Sequence, residues 1–308
     1  MGSSVNKIRI ATRQSALALW QTHHVREQLR KHYPNLIVEI VGITTTGDRV
    51  LDRPLAEVGG KALFVKELES ALLNNTADIA VHSIKDVPAQ LDDVFQIPAI
   101  LERDDPRDVL LSVKYPDVMS LPDNARLGTS SFRRKAQIMA LRPDLNILNL
   151  RGNVGSRIKK LLSDEYDAII LAYAGLKRLH LTQYIRQVLP VAWFLPAAGQ
   201  GAIGVECLAD NAEIISLLRV LNHLPTAQCV IAERSMNQFL QGDCYSPIGS
   251  YAQIRDEQLH LQGLVASPRG EHVLRTSQHG AIEQAAVIGE AAAIDLLKQG
   301  AKALLCHP

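Results

Sequence analysis

The sequence predicts an α/β protein that contains two doubly wound units of largely parallel sheet, followed by a small α+β domain. Short β-branched segments alternate with segments of helical spacing, and this alternation starts again after Pro106. From about Thr226 the pattern changes to one helix, three alternating strands and an Ala-rich helix. A chain of 308 residues also exceeds the size at which one core usually stops growing, so two or three domains are expected.

The first unit is predicted to begin with a strand, a helix and a strand. Leu17, Trp20, Val25 and Leu29 recur at the spacing of one helix face, between the β-branched segments "KIRIAT" and "NLIVEIVGI". The segments "FVKELESALL" and "ADIAVHS" then continue the alternation as helix and strand. Such alternation is typical of crossover units, in which neighbouring strands run parallel.

The second unit repeats the alternation, and the end of the chain departs from it. The second unit's predicted strands are "DVLLSV", "RLGTS", "NILNL" and "DAIILAY", and its predicted helices are "FRRKAQIMAL" and "VGSRIKKLL". After these come a helix "AQCVIAERSMNQFL", the strands "IGSYAQI", "QLHLQGLVAS" and "HVLRTSQ", and a long helix from about Ile282. Strands that follow one another directly predict the small α+β domain.

The balance of charge argues against a surface built as a whole to bind nucleic acid. Lys and Arg total 33 against 32 Asp and Glu, which gives a net charge of +1. The positive charge is local, because residues 126–186 contain 12 Lys and Arg but only four Asp and Glu. The middle of the chain is therefore the basic part.

The cysteines indicate a reducing compartment, and the lack of long apolar runs argues against export and against a membrane span. Cysteines at 207, 229, 244 and 306 form no C-x-x-C pair and no zinc-like spacing, so no metal is expected, and they are too sparse for a disulfide scaffold. The amino end lacks the clean apolar segment of a secretion signal, and no apolar run reaches the length of a membrane span. We therefore expect a soluble, cytoplasmic protein without a membrane partner.

One glycine pattern resembles a nucleotide-binding motif but stands in the wrong context. "GQGAIG" matches the dinucleotide pattern, which lies between a strand and a helix. Here "PAA" precedes the pattern and the extended segment "AIGVEC" follows it. "VGGKAL" lacks the spacing and the Ser or Thr of a P-loop. Nucleotide binding is therefore not expected.

Hydroxyl and guanidinium side chains follow several predicted strands. In "GTSSFRRKAQ", Thr129, Ser130 and Ser131 begin a helix, where backbone N–H groups and the helix dipole favour an anion. Taken alone, this is also the pattern of an ordinary helix cap with a solvated basic face. Similar residues follow other strands, at Arg13, Ser15, Arg151, Arg157 and Arg178. Because such junctions share one face of an open α/β sheet, we expect a basic cleft for a ligand with several carboxylates, with phosphate as an alternative.

An acid lies next to this expected cleft. "AVHSIKDVP" ends a predicted strand with His82, Ser83, Lys85 and Asp86 in a turn closed by Pro88. An Asp in such a place is usually a turn residue. Among many cations, however, a carboxylate is suited to stabilise positive charge that develops on a bound ligand. Asp86 is therefore the candidate catalytic group.

Cys244 differs from the other cysteines in its surroundings. It lies in the polar loop "LQGDCYSPIGS", beside Asp243, whereas most single cysteines are inert thiols in the core. A polar loop suits an accessible and reactive thiol.

Five segments together resemble the porphobilinogen deaminases, also called hydroxymethylbilane synthases. They are "HSIKDVP", "GTSSFRRKAQ", "LRGNVGSR", "PAAGQGAIGVE" and "GDCYSPIGS", and the resemblance covers essentially the whole chain. It implies two domains like those of periplasmic binding proteins, formed by residues 1–101 with 202–222 and by residues 102–201. It also implies a small α+β domain, residues 223–308, that bears the cofactor cysteine, and a monomeric protein.

The resemblance implies a transferase of tetrapyrrole and heme biosynthesis. Four molecules of porphobilinogen are joined head to tail with loss of ammonia, and linear hydroxymethylbilane is released by hydrolysis. The implied cofactor is a dipyrromethane, attached by a thioether to the cysteine that matches Cys244. Asp86 matches the family's catalytic aspartate, whose carboxylate stabilises the electron-poor azafulvene left when ammonia departs.

Further residues match family positions that bind the carboxylates of cofactor or substrate. They are Arg13, Ser15, Ser83, Lys85, Thr129, Ser130, Ser131, Arg133, Arg134, Arg151, Arg157 and Arg178. Lys61 lies in a loop that the resemblance places over the cleft. Two departures from the family pattern are Glu57, where many relatives have Lys, and Ala16, where Pro is common. The implied partner is a small molecule, and no nucleic acid is expected.

A function of another class fits part of the same pattern. A non-catalytic receptor or sensor that binds anions between two domains would explain the fold and the basic cleft. It would leave Asp86, the polar surroundings of Cys244 and the missing export signal unexplained.

Overall fold

The computed structural model describes residues 5–49, 65–243 and 245–305. The chain packs into two compact units. Unit 1 consists of Met1–Asp104 and Ala202–Ala227, and unit 2 consists of Asp105–Gly201 and Gln228–Pro308. Most of the predicted third domain thus falls in unit 2 with the middle of the chain. The division into three domains stays a prediction.

The described elements of unit 1 follow the predicted alternation of strands and helices. Numbered along the whole chain, they are β1 Lys7–Arg13, α1 Ala16–His32, β2 Ile37–Ile43, α2 Thr46–Arg49, α3 Lys66–Leu73, β3 Ile79–Ser83, β4 Phe95–Ile100, β10 Ile203–Leu208 and α7 Ala212–Leu218. A single 3₁₀ turn, Ile84–Asp86, follows β3.

The described elements of unit 2 include an α/β part and an α+β part. The α/β part contains β5 Asp108–Leu111, β6 Arg126–Gly128, α4 Phe132–Leu141, β7 Asn146–Leu148, α5 Val154–Leu162, β8 Ala168–Ala172, α6 Tyr173–Arg178 and β9 Ile185–Val188. The α+β part contains α8 Leu224–Phe239, whose first turn belongs to unit 1, and β11 Ile248–Arg255, β12 Gln258–Ala266, β13 Val273–Ala281, α9 Ala285–Lys298 and α10 Ala301–Leu305.

Helix α1 begins and ends where its sequence favours these positions. The side-chain oxygen of Ser15 accepts a hydrogen bond from the backbone N–H of Ala18 at 3.3 Å and so caps the amino end. The last turn carries three basic residues, 30–32, which interact favourably with the negative end of the helix dipole. Val25 and Leu29 pack in one core with β1. The amino end of α1 is therefore held next to the end of β1.

Each unit contains one five-stranded sheet, and the two sheets have the same arrangement. The strand order is β2-β1-β3-β10-β4 in unit 1 and β7-β6-β8-β5-β9 in unit 2. In both sheets the first three strands are parallel. The fourth strand pairs antiparallel with both of its neighbours.

The prediction of largely parallel sheets is therefore wrong for half of the strand pairs. A parallel neighbour requires a crossover connection of about a dozen residues or more, usually a helix. The strands β5 and β10 begin just after the chain passes from one unit to the other, at Asp105 and Ala202. In the described residues no crossover helix lies between the point where the chain enters the unit and either strand, so the alternation rule does not apply to these two strands.

The C-terminal part of the chain has the predicted α+β composition. Strands β11, β12 and β13 form an antiparallel sheet in chain order. Met236 of α8 and Ile288 and Leu296 of α9 share one core with Leu261 of β12. The helices thus bury the apolar face of this small sheet.

A buried glutamate connects this region to the middle of the chain within unit 2. Glu233 of α8 is fully buried. Its two carboxylate oxygens accept hydrogen bonds from the backbone N–H groups of Gly199 and Ala252, each at 2.7 Å. Hydrogen bonds to a charged acceptor are stronger than neutral ones, and a buried carboxylate without them would be costly. The contacts hold α8, β11 and the Gly199 turn together.

The glycines of "GQGAIG" have structural roles. Gly199 and Gly201 adopt positive φ angles of 69° and 91° in a turn, and β10 follows directly, as predicted for "AIGVEC". On β10, a side chain at Gly204 would put its Cβ 2.2 Å from Cδ1 of Ile84. Gly204 therefore leaves the space into which Ile84, and with it the turn that carries Asp86, is packed.

Replacing this glycine tests the close approach. Gly204→Ala is expected to lower the free energy of unfolding by about 1–3 kcal/mol, because the added methyl group must displace Ile84. Denaturant unfolding measures the change. Gly42→Ala is a matched control, because Gly42 also lies on a strand of unit 1 but its Cβ would meet only the Gln14 side chain, at 3.4 Å. Equal losses in the two variants would contradict the packing role of Gly204.

Candidate active site

A small pocket in unit 1 brings together four of the residues that the sequence analysis selected. Its volume is about 50 Å³. The four residues are Arg13, Ser15, Ser83 and Asp86. The pocket is also lined by Leu17, Ala18, Gln21, Val65, Val81 and His82. Lys85 lies in the same turn as Asp86 but does not line the pocket.

The pocket forms because two parallel strands end beside one another. Arg13 is the last residue of β1 and Ser83 is the last residue of β3, and the two strands are paired in parallel. Ser15 caps α1 immediately after β1, and Asp86 ends the turn immediately after β3. The carboxyl ends of parallel strands meet at one edge of a sheet, which is where α/β proteins usually bind ligands.

Arg13, which lines the pocket, has Asp48 as its counter-ion. Its Nε donates to Oδ2 of Asp48 at 3.0 Å, and its NH2 donates to the other carboxylate oxygen. Burial alone would raise the pKa of Asp48, but the hydrogen bonds and charge of Arg13, together with Thr45, outweigh burial and hold that pKa below its usual value. Asp48 was not predicted from the sequence, because it lies 35 residues from Arg13 on another element.

The sequence analysis assigned no role in the site to two polar residues of the pocket, Gln21 and His82. Gln21 is buried on α1, and its side-chain amide donates to the Ser83 hydroxyl at 2.8 Å. His82 is buried on β3, and its Nε2 lies 2.9 Å from a carboxylate oxygen of Glu206 on β10. A signal for Gln21 was present, because it lies four residues after Leu17 and four before Val25 on the apolar face of the helix.

In unit 2 the three predicted hydroxyl residues connect two strand ends. Ser131 caps α4, because its side-chain oxygen accepts from the backbone N–H of Arg134 at 3.4 Å. The Ser130 hydroxyl donates to the carbonyl of Leu150 at 2.6 Å and accepts from the N–H of the same residue at 3.1 Å. Thr129 is buried and accepts from the N–H of Ser131. The junction after β6 is thereby attached to the residue that precedes Arg151.

Arg133 and Arg134 lie inside unit 2 and share one acid. NH1 of Arg133 and NH2 of Arg134 each lie 2.7 Å from a different oxygen of Asp108, which is fully buried. NH1 of Arg133 also donates to the carbonyl of Leu195 at 2.6 Å, and Gln200 donates to Asp108 at 3.0 Å. Their predicted role in binding ligand carboxylates stays a prediction, and their net charge is smaller than the sequence motif suggests.

The remaining predicted arginines of unit 2 lie at other junctions. Arg151 is buried after β7, and burial lowers its pKa, while the nearby Tyr245 opposes this change. Nε of Arg157, on α5, donates to the carbonyl of Gly152 at 2.7 Å. Arg178 is buried at the end of α6, and its NH2 donates to the carbonyl of Gly201 at 2.6 Å.

Cys244 and Lys61 lie outside the described residues, as does Glu57. The residues on either side of Cys244 form a turn, in which Oδ1 of Asp243 accepts from the N–H of Tyr245 and from the hydroxyl of Ser246, each at 2.9 Å. The ring of Tyr245 meets the ring of Phe132 edge to face, with centroids 6.3 Å apart. Tyr245 is therefore held beside the first residue of α4 and near Arg151.

The two cysteines in the described part of the chain have buried side chains. Cys207 lies on β10 and Cys229 on α8. Burial, with the charge of Glu206, raises the pKa of Cys207 to about 12. A thiol of this kind is a poor nucleophile at neutral pH.

Two further properties concern the described residues as a set. No group of three or more His, Cys, Asp or Glu among them is arranged to hold a metal ion. No single helix in these parts of the chain is long and apolar enough to cross a membrane, although Ala212–Leu221 and Leu224–Phe239 meet the criterion when taken together, with a bend of 109° between them.

Solved structures resemble the chain at low identity. The VFT2 domain of BvgS from Bordetella pertussis is 14% identical with a TM-score of 0.45, and the match covers 70% of this chain and 87% of that one. A putative methionine-binding lipoprotein from Bacillus subtilis is 10% identical with a TM-score of 0.44, over 71% and 91%. The sulphonate-binding protein SsuA from Escherichia coli is 13% identical with a TM-score of 0.41, over 77% and 71%.

Sequence profiles of one family match nearly the whole chain. The profile described as "Porphobilinogen deaminase, dipyromethane cofactor binding domain" matches residues 8–216. The profile described as "Porphobilinogen deaminase, C-terminal domain" matches residues 227–298. The predicted fold class is confirmed as two α/β regions and a small α+β region. The chain belongs to the porphobilinogen deaminase family.

Proposed function

We propose that the pocket of unit 1 is the place where the chain activates porphobilinogen, with Asp86 as the group that stabilises the developing positive charge. As a porphobilinogen deaminase, the chain is a transferase that condenses porphobilinogen to hydroxymethylbilane with a dipyrromethane cofactor. The observation that supports the proposal most is the convergence of Arg13, Ser15, Ser83 and Asp86 on one pocket.

The side chains of the pocket suit the groups of this substrate. Porphobilinogen carries an acetate, a propionate and an aminomethyl arm on one pyrrole ring. Arg13 offers positive charge for a carboxylate beside its pairing with Asp48, and Ser15 and Ser83 offer hydroxyl groups for further hydrogen bonds. When the arm loses ammonia, positive charge spreads over the ring and its N–H. The half-buried carboxylate of Asp86 would stabilise this charge more than the neutral ring.

The donor groups around the Cys244 loop fit a dipyrromethane. Its acetate and propionate groups need cations and N–H donors, and Tyr245 lies next to both Arg151 and the first residue of α4. Cys244 would hold the cofactor through its sulfur. When bound, the cofactor supplies the free pyrrole end on which the product grows.

The other predicted binding residues keep the roles that the family implies, as proposals. Thr129, Ser130 and Ser131 would offer hydroxyl and backbone N–H donors, and Arg151, Arg157 and Arg178 would offer charge. Arg133 and Arg134 would contribute less charge, because they share Asp108. Lys85 would add a cation in the turn before Asp86, and Lys61 would act from its loop. A cytoplasmic, monomeric protein without nucleic-acid or membrane partners also stays a prediction.

Asp86→Asn tests the proposed catalytic group. The change keeps the shape of the side chain but removes its charge, so we expect kcat to fall by about a hundredfold or more, on the order of 3 kcal/mol. Hydroxymethylbilane formation measures this fall. Asp93→Asn is a control, because Asp93 is an exposed acid seven residues away that does not line the pocket. Near-normal turnover by Asp86→Asn would rule out the assignment.

Cys244→Ser tests the attachment of the cofactor. The variant is expected to fold and to show the mass of the unmodified chain, whereas the wild type carries the added mass of a dipyrromethane. Intact-protein mass spectrometry decides this, and acidic dimethylaminobenzaldehyde should colour only the wild type. Cys229→Ala, which changes a buried thiol, should keep the added mass. Added mass on Cys244→Ser would place the attachment elsewhere.

Arg151→Leu and Arg157→Leu test the role of charge in unit 2. Either change should stall elongation or cofactor assembly, because carboxylates would then enter the site without a cation. Mass spectrometry of the enzyme with bound intermediates shows the step at which each variant stops. Lys159→Leu removes an exposed cation from the same helix as Arg157 and should leave the intermediates unchanged. A normal series in both arginine variants would argue against this role.

A further inference from the structure

The pair formed by His82 and Glu206 has no part in the function proposed above. Ala80 and Glu206 are register partners on the antiparallel strands β3 and β10. His82, two residues after Ala80, points to the same face, and its Nε2 lies 2.9 Å from Oε2 of Glu206. The histidine side chain is 5% exposed and the glutamate side chain is not exposed at all.

Glu206 lowers the stability of the folded chain in this position. Within the part of the chain that the structure describes, its Oε1 has no hydrogen-bond partner, and His82 is the partner of Oε2. A carboxylate removed from water and satisfied on one oxygen only costs free energy that an apolar residue would not. Glu69 on α3 interacts electrostatically with both members of the pair, and Arg13 and Asp86 line the same pocket as His82. Burial and then the charge of Glu206 raise the pKa of Glu69, while His82 opposes this.

The contact links the tautomer of His82 to the charge of Glu206. An ionised carboxylate can only accept, so with Glu206 ionised Nε2 of His82 donates to it. In a neutral imidazole the other nitrogen, Nδ1, then has a free lone pair. Nδ1 makes no hydrogen bond to any residue in the described ranges. The ring lines the same pocket as Asp86.

We infer that His82 is a second group of this active site, which accepts and returns a proton at Nδ1, and that Glu206 is its positioning residue. The inference rests on the proposed function, because it concerns the same pocket. An acid that accepts a hydrogen bond from one imidazole nitrogen fixes the tautomer and orients the ring, so that the other nitrogen can act as a base. Asp86 stabilises charge in this arrangement, and His82 moves the proton.

The reaction supplies a proton that needs such a group. In each condensation the substrate's arm reacts as an ammonium group, and its C–N bond breaks with the electron pair on nitrogen, which releases ammonia. A C–C bond then forms to the free carbon of the terminal pyrrole, and that carbon loses its hydrogen as a proton. We place that proton on Nδ1 of His82, where Glu206 stabilises the resulting imidazolium. The ammonia released earlier then takes up this proton and leaves the site as ammonium, and His82 returns to its neutral form. No oxidant or further reactant is needed.

The tautomer can be measured without turnover. Nitrogen-15 NMR of the full-length wild-type protein with its cofactor, labelled on histidine, should show one imidazole with hydrogen on Nε2 and none on Nδ1. His82→Gln identifies that signal by its disappearance. In Glu206→Gln the same ring should lose this preference, because the charged acceptor is gone. A wild-type His82 that carries hydrogen on Nδ1 when neutral overturns the inference.

Kinetics distinguish proton transfer from a structural role. In His82→Gln the amide N–H can still donate to Glu206, so the contact is kept while the base is lost. We expect kcat to fall about a hundredfold with KM within twofold. Glu206→Gln should lower kcat about tenfold, and the double variant should match His82→Gln alone, because Glu206 acts through the imidazole. Unchanged kcat in a folded His82→Gln, or independent losses that add, would overturn it.

A control and a comparison complete the test. His260→Gln changes a histidine of β12, outside the pocket, and should leave kcat unchanged. If Asp86→Asn abolishes turnover while His82→Gln does not, only the present inference fails. If Asp86→Asn turns over normally, the proposed active site fails, whatever the effect at His82.

Discussion

The antiparallel pairing of β10 with β3 determines where the residues of the pocket lie. Opposite His82 the partner strand carries Gly204, and the missing side chain leaves room for Ile84. Glu206 on the same strand holds the ring of His82. The strand that returns to unit 1 therefore sets both the packing below the turn of Asp86 and the orientation of the pocket histidine. The glycine pattern "GQGAIG" therefore has a packing role here, although it lacks the flanking strand and helix of a nucleotide-binding motif.

Cations that are partly or fully buried in the two units are balanced by acids from distant parts of the sequence. Asp48 faces Arg13 in unit 1, and Asp108 faces Arg133 and Arg134 in unit 2. Burying a guanidinium without a counter-ion would cost several kcal/mol even after relaxation. The acids offset the free-energy cost of removing these arginines from water, and their hydrogen bonds orient the guanidinium groups. The positive electrostatic field that acts on a ligand is consequently weaker than the count of basic residues suggests.

The local elements could be predicted from the sequence, whereas the partners across the fold could not. Periodicity located α1, α4 and α5 and nearly all strands, because hydrophobic spacing reflects the side that each element buries. The junction residues of unit 1 were found for a related reason, since β1 and β3 are parallel and end together. Asp48, Asp108 and Glu206 were missed because each lies far along the sequence from its partner and on another element. The antiparallel direction of β5 and β10 was missed because the chain has just entered a new unit where each of these strands begins.

The hydrogen bonds of Glu233 affect where a molecule that grows from residue 244 would begin. They join β11, which follows the loop of residue 244, to the Gly199 turn in the same compact unit as α4 and α5. A molecule fastened at residue 244 would thus keep a constant origin with respect to the guanidinium groups of that unit. Each added ring would then lie at a set distance from the point of attachment. The number of rings that can be accommodated would be set by architecture, and not by the chance timing of release.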